Sequence, residues 1–176
     1  MAAESTSFVG NWREWTMHTD LWNFALKLYA RPGVEPACLL WQDLGGDVCL
    51  LLCGAWLSAR GVAANEQRVR QLTELADDWQ TEVVKPLRTL RQSWRDKAGK
   101  DPQLAGLREQ VKGLELAAER ILLERLETAC KDWAATPEAG LDWISGLAPE
   151  GAGAHHDALH RLRVVMLMTQ DADEGV

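Results

Sequence analysis

The stretch that most constrains this chain is Val48–Leu57, ten residues that are apolar on every side. A helix with no polar face must be covered all round, so it belongs at the centre of a bundle rather than at its surface. Gln42, Asp43 and Asp47 stand just before it, around the Gly45-Gly46 break. Asp47 is placed to cap the buried helix with its side-chain oxygen. A polar cluster held against an apolar centre is also where a binding site would form.

The rest of the chain reads as helix after helix. Asp20 (or Thr19) caps a helix to about Arg31 that buries Leu21, Phe24, Ala25 and Leu28, and Pro32-Gly33 stops it. Pro36 opens a second helix with Ala37, Leu40, Trp41 and Leu44 at helical spacing. From Asn65 a long helix carries Val69, Leu72, Ala76, Trp79, Val83, Leu87, Leu90 and Trp94, with a kink expected at Pro86. Asp101-Pro102 opens its partner, with Leu104, Leu107, Val111, Leu114, Ala118 and Ile121 as the expected buried stripe and Trp79 and Trp94 in the hairpin core. A short helix from Thr136-Pro137 through Leu147 and a last one over His156–Thr169 follow.

These patterns predict an all-α, single-domain helical bundle of about six to seven helices, with a buried central helix over about 47–60 and an antiparallel helical hairpin over about 65–133. The expected organisation is a Trp-containing arm over 1–18, the bundle over 19–147, a linker and C-terminal helix over 148–170, and an acidic tail over 171–176. Phe8, Trp12 and Trp15 give the arm one apolar face, suited to docking on the body or on a partner subunit. The N-terminus lacks the basic and apolar regions of a signal peptide, and no apolar run has the length of a membrane span. The expected location is therefore cytoplasmic, with the four cysteines as thiols.

With Leu21–Leu26, Tyr29–Val34 and Ala37–Leu39, then Gln42-Asp43 and Asp47-Val48, the chain resembles a family of uncharacterised small proteobacterial all-helical proteins. The resemblance runs on through Trp79, Val83-Val84, Pro86–Arg88, Arg91, Arg108, Val111-Lys112, Glu115-Leu116 and Glu119, covering about residues 20–133. Trp41 stands where that family has Leu, and Cys49 where it has Asn, which weakens a binding role for position 49. The resemblance implies a helical fold and a domain of unknown function. It implies no activity.

Several groupings invite a chemical reading. Lys85–Lys100 holds six positive charges and one negative in a chain of net charge −7. Arg88, Arg91 and Arg95 line up there at i, i+3 and i+7, a face suited to an acidic protein or a phosphate-bearing macromolecule. The alternative is a solvated helix face. Gln42, Asp43 and Asp47 could line a small-molecule pocket, or serve as a cap and an ion-pair partner. Asp43 and Asp47 also share D-x-x-x-D spacing, and Glu115 and Glu119 E-x-x-x-E spacing, as in magnesium–diphosphate sites. Gly45-Gly46 interrupts the first pair, which argues against a shared helix face. Simple register about Gly99 places Glu115 and Glu119 opposite Val83 and Trp79, so their expected partners are Lys27 and Arg31, also four apart, in a structural ion-pair ladder.

Cys38, Cys49 and Cys53 lack C-x-x-C spacing and read as small buried hydrophobes rather than zinc ligands. His156 and His160 have no second element to complete a metal site. No nucleophile–His–acid arrangement stands out, so no catalytic residue, metal or cofactor is expected. Three roles remain: a non-enzymatic adaptor or regulator using Arg88, Arg91 and Arg95; a small-molecule binder or enzyme using Gln42, Asp43 and Asp47; and an assembly subunit using Trp12 and Trp15. Partner identity and oligomeric state are left open.

Overall fold

A computed structural model describes residues 20–136, 142–151 and 156–171. The helices are α1 (Leu21–Tyr29), α2 (Val34–Asp43), α3 (Val48–Ala59), α4 (Glu66–Trp79), α5 (Lys85–Ser93), α6 (Arg95–Ala98), α7 (Pro102–Cys130), α8 (Trp143–Leu147) and α9 (His156–Asp171). Gln80–Val84 joins α4 to α5 as a π-helical turn. The described residues contain no strand, and none of their helices is long and apolar enough to cross a membrane. The fold is an all-helical bundle. The expected arm, and residues 172–176 of the expected acidic tail, lie outside the described residues.

The central helix is where the apolar run required it. Cys49–Gly54, Trp56 and Leu57 of α3 are all buried, and α1, α2, α4, α7 and α8 pack around it. Side-chain caps start the helices at the expected residues. Asp20 accepts from the Asn23 amide, Asn65 from Arg68, and Asp101 from Gln103 and Leu104. Each satisfies donors that the first helical turn leaves without an intrahelical partner. The short helix α8 starts later than expected, capped by Asp142 rather than Thr136, and Pro137–Leu141 lie outside the described residues. The C-terminal helix belongs to the bundle. Leu159 and Leu162 are in the core, α9 packs on α2, and Arg163 pairs with Asp142 at 2.8 Å.

Two glycines allow close approaches that the sequence did not announce. A side chain at Gly54 would meet Leu147 at 2.9 Å, so α8 lies directly on α3 there. A side chain at Gly46 would run into the Trp41 indole, which is fully buried and donates to the Asp47 carbonyl at 3.0 Å. The Gly-Gly pair thus ends α2 and also folds the chain tightly over Trp41, fixing where Asp47 begins α3.

The hairpin turns near Gly99 as expected, but its details differ. Pro86 has no N–H to give to residue 82, and its ring crowds that carbonyl. Here the strain is taken up as the π turn, in which the Lys85 amide bonds back to the Gln80 carbonyl. On α7 the buried residues are Val111, Glu115, Ala118, Leu122, Leu123, Leu126 and Cys130. The expected stripe was partly out of phase, since Leu107, Leu114 and Ile121 are 50%, 58% and 40% exposed. Val111 and Ala118 are buried together with Glu115 and Leu122, so the helix turns that flank inward and leaves the flank of Leu107, Leu114 and Ile121 outside. Trp79 and Trp94 are half-buried rather than enclosed, and α5 and α6 bury no residue completely. Trp79 is held by its indole N–H to the Ala118 carbonyl at 2.9 Å, with Arg125 over its ring.

Candidate functional site

A cleft of about 820 Å³ opens where the start of α3 faces α4, the π turn, α7 and the segment after α8. Gln42, Asp47 and Gln80 line it, with Arg88 and Glu119 on the same wall. Apolar surface comes from Val48, Leu50, Val69 and Leu147. Four exposed carboxylates, Glu66, Glu74, Asp77 and Glu150, stand around it with the exposed cations Arg70 and Lys85.

Asp47 performs the cap expected of it and has an oxygen to spare. Its Oδ1 accepts the amides of Cys49 at 2.7 Å and Leu50 at 3.3 Å. Its Oδ2 is buried with no hydrogen-bond partner. Burial pushes the carboxyl above its ordinary pKa, and the two amides, the nearby Gln80 side chain and the Arg88 charge oppose that without cancelling it. Gln80 is 6% exposed, and its side chain stands beside the Asp47 carboxyl and favours its charged form. A buried carboxylate oxygen left without a donor is uncommon and costly.

The polar cluster read from sequence therefore divides. Gln42 and Asp47 face the cleft, whereas Asp43 is exposed outside it and makes no ion pair among the described residues. No group of three or more His, Cys, Asp or Glu among the described residues could hold a metal ion, which includes the D-x-x-x-D and E-x-x-x-E pairs.

Glu115 and Glu119 find their partners on α5. Arg88 donates from Nε to Glu115 and from Nη2 to Glu119, both at 2.8 Å. Arg91 donates to both oxygens of Glu115, at 2.5 and 3.2 Å. The expected ladder from Lys27 and Arg31 is thus replaced by one from Arg88 and Arg91. Helical side chains lean toward the N-terminus of their own helix. An arginine at position 88 therefore covers the surface beside position 84, which the hairpin sets opposite residue 115. Simple register of backbone positions missed that one-turn offset.

The same contacts change the basic face. Arg88 and Arg91 already carry carboxylates, and only Arg95 of the three is exposed. At Glu115 burial works against ionisation, but the hydrogen bonds and charges of Arg91 and Arg88 outweigh it and hold the carboxyl below its ordinary pKa. Glu119 goes the other way. Burial raises it, Arg88 opposes, and the charges of Glu115 and Asp47 add to the rise.

Cys49 also lines the cleft, and its thiol is pushed well above the ordinary value by burial and by the charges of Asp47 and Glu119. A thiol kept protonated in this way is a poor nucleophile. The arrangement supplies carboxylate acceptors, the amides of Gln42 and Gln80, and a committed guanidinium. Carboxyls displaced upward by burial in a concave site make this cleft the candidate functional site of the fold.

Sequence reasoning passed over Gln80, although its signal was present. Leu72, Ala76, Gln80, Val84 and Arg88 form one i, i+4 row running into the core. A glutamine and an arginine on that row interrupt an otherwise apolar face. Glu115 interrupts the buried row of α7 in the same way.

The fold and this cleft define an all-helical domain with an acidic, partly apolar cleft at the head of its central helix. The chain belongs to the family described as protein of unknown function (DUF2390), whose model matches residues 20–126. That span ends seven residues before Trp133, where the resemblance in the sequence was expected to end, and it contains every cleft residue named above except Leu147 and Glu150. No curated protein and no solved structure matches the chain.

Proposed function

We propose that this protein is a cytoplasmic small-molecule-binding domain whose ligand occupies the cleft between α3, the π turn and α7. The observation that carries this reading is Asp47 Oδ2, a buried acceptor at the cleft wall with no donor from the protein. A structural cap needs one carboxylate oxygen, and Oδ1 already makes both capping bonds. The second oxygen is covered in the empty protein, and a ligand gives it a partner by displacing a side chain beside it, of which Gln80 is one. The π turn adds support, since such turns recur at functional sites, and this one sets Gln80 beside Asp47. The cleft volume is in the range of small-molecule sites.

The geometry favours this reading over an adaptor that uses Arg88, Arg91 and Arg95, because two of those guanidiniums already have carboxylate partners. A cytoplasmic setting fits a chain whose four cysteines are all buried as small core side chains. The test is a thermal-shift screen of polar metabolites against wild type and Thr73→Trp, which places an indole in the cleft from its α4 wall. The expected result is ligand-induced stabilisation in wild type that the indole removes. Stabilisation that survives the indole contradicts the cleft as the site.

A further inference from the structure

We propose that the ligand of this cleft is an organic cation, a protonated amine or amidine with an aliphatic body, whose N–H groups bond to Asp47 and Glu119. This rests on the cleft being a binding site, and it adds the chemical class of what binds.

The polar wall at the head of α3 carries Asp47, Glu119 and Gln80, with Arg88 among them. Asp47 presents Oδ2 with no donor, and Glu119 gives one oxygen to Arg88. Gln80 stands beside Asp47 in a nearly enclosed position. The one cation on that wall, Arg88, bonds to Glu115 and Glu119 at 2.8 Å each. An anion would have to draw Arg88 away from two carboxylates while facing a third, Asp47. A cation meets neither obstacle.

The outer cleft points the same way. Its lining as a whole carries six carboxylates and three basic side chains. Such an imbalance, focused between low-dielectric walls, raises the local concentration of positive ligands. Burial and the mutual charges of Asp47 and Glu119 push both carboxyls upward in the empty protein. A cation bound between them supplies the missing counter-charge. Among the described residues no trio of acidic, His or Cys ligands converges for a metal, so the fitting cation is one that brings its own N–H donors. The volume exceeds what an ammonium group fills, and Val48, Leu50, Val69 and Leu147 offer aliphatic surface to the remainder.

The experiment measures binding of three cations, 1-aminohexane, 1,5-diaminopentane and 4-guanidinobutylamine, and of three anions, hexanoate, glutarate and inorganic phosphate. Calorimetry and thermal shift are used on the full chain, as wild type, Asp47→Asn and Glu119→Gln. Asn caps a helix about as well as Asp, so the first variant keeps α3 intact. Glu119→Gln provides a second test independent of that cap. The expected result is binding of the cations in preference to the anions, weakened about tenfold or more in each variant, as for a buried charge pair losing one partner. Preference for the anions overturns the cationic assignment while leaving the cleft as a binding site. Cation binding that is undiminished in both variants overturns it too, since the contact would lie elsewhere. No binding by any of the six overturns this assignment and, with a blank metabolite screen, the cleft reading beneath it.

Discussion

Glu115 and Glu119 stand one turn apart on α7 and share Arg88, yet their carboxyls are displaced in opposite directions. Glu115 has bonds from two arginines and a side chain only 7% exposed. Glu119 has one bond to one arginine, and it faces the cleft and the charge of Asp47. The difference teaches that burial alone does not decide the state of a carboxylate; the number and geometry of its donors do. The fully donated residue is part of the scaffold. Its neighbour, with Asp47, is left for something else to complete.

Breaking the scaffold side gives the largest expected effect. Glu115→Ala leaves Arg88 with one carboxylate and removes the main partner of Arg91, so stability in urea unfolding is expected to fall by about 3 kcal/mol. A loss below about 1 kcal/mol would show that the two arginines find water or other partners instead.

The pH dependence of stability separates the two sides. Glu115 is lowered on folding, so its contribution is present above its unfolded pKa and is lost as pH falls through its folded value. Asp47 and Glu119 are raised, so their contribution is present below their unfolded pKa and is lost as pH rises through their folded values. Glu115→Gln is therefore expected to flatten the acid limb of the stability curve. Asp47→Asn is expected to reduce the loss on the way to neutral pH, and at pH 7 to unfold at equal or higher stability, with a gain of up to about 1 kcal/mol. Urea titrations from pH 3 to 8 check both signs.

Smaller effects sharpen the comparison. Glu119→Gln removes one bond to Arg88 together with a poorly compensated charge. The two changes oppose each other, and the net is expected to stay within about 1 kcal/mol of wild type. Arg95→Ala, at an exposed position of the hairpin tip, is expected to change stability by less than about 0.5 kcal/mol. A larger effect would mean that the tip is structurally tied to the cluster formed by Arg88 and Arg91.

Much of the fold was legible because it depends on local rules. Asp20, Asp47, Asn65 and Asp101 cap helices within three residues of themselves, and the all-round apolar character of Val48–Leu57 leaves no alternative to burial. The hairpin turn at Gly99 follows from the same kind of signal. The site was legible only in part, because it is assembled from positions 47, 80, 88 and 119, which no short-range pattern connects. Asp47 was visible as a polar residue at an apolar boundary, but Asp43 looked equivalent to it. The tight turn over Trp41 separates them by turning one inward and leaving the other outside. The partners of Glu115 and Glu119 were missed because backbone register was considered without the lean of the arginine side chains. Leu107, Leu114 and Ile121 flank the buried Val111 and Ala118 on one side, and Glu115 and Leu122 flank them on the other; an apolar count prefers the first side because it cannot foresee that Glu115 is buried by Arg88 and Arg91.

The contrast between Glu115 and Glu119 is tested most directly by site-resolved carboxyl titration, following the side-chain carbon resonances of both residues and of Asp47 by NMR in the ligand-free protein. The expected result is that Glu119 titrates above an ordinary glutamate and Asp47 above an ordinary aspartate, while Glu115 titrates below an ordinary glutamate. Glu115 and Glu119 titrating together, or Asp47 titrating at or below its ordinary value, would contradict the division between a completed scaffold and a cleft awaiting its ligand.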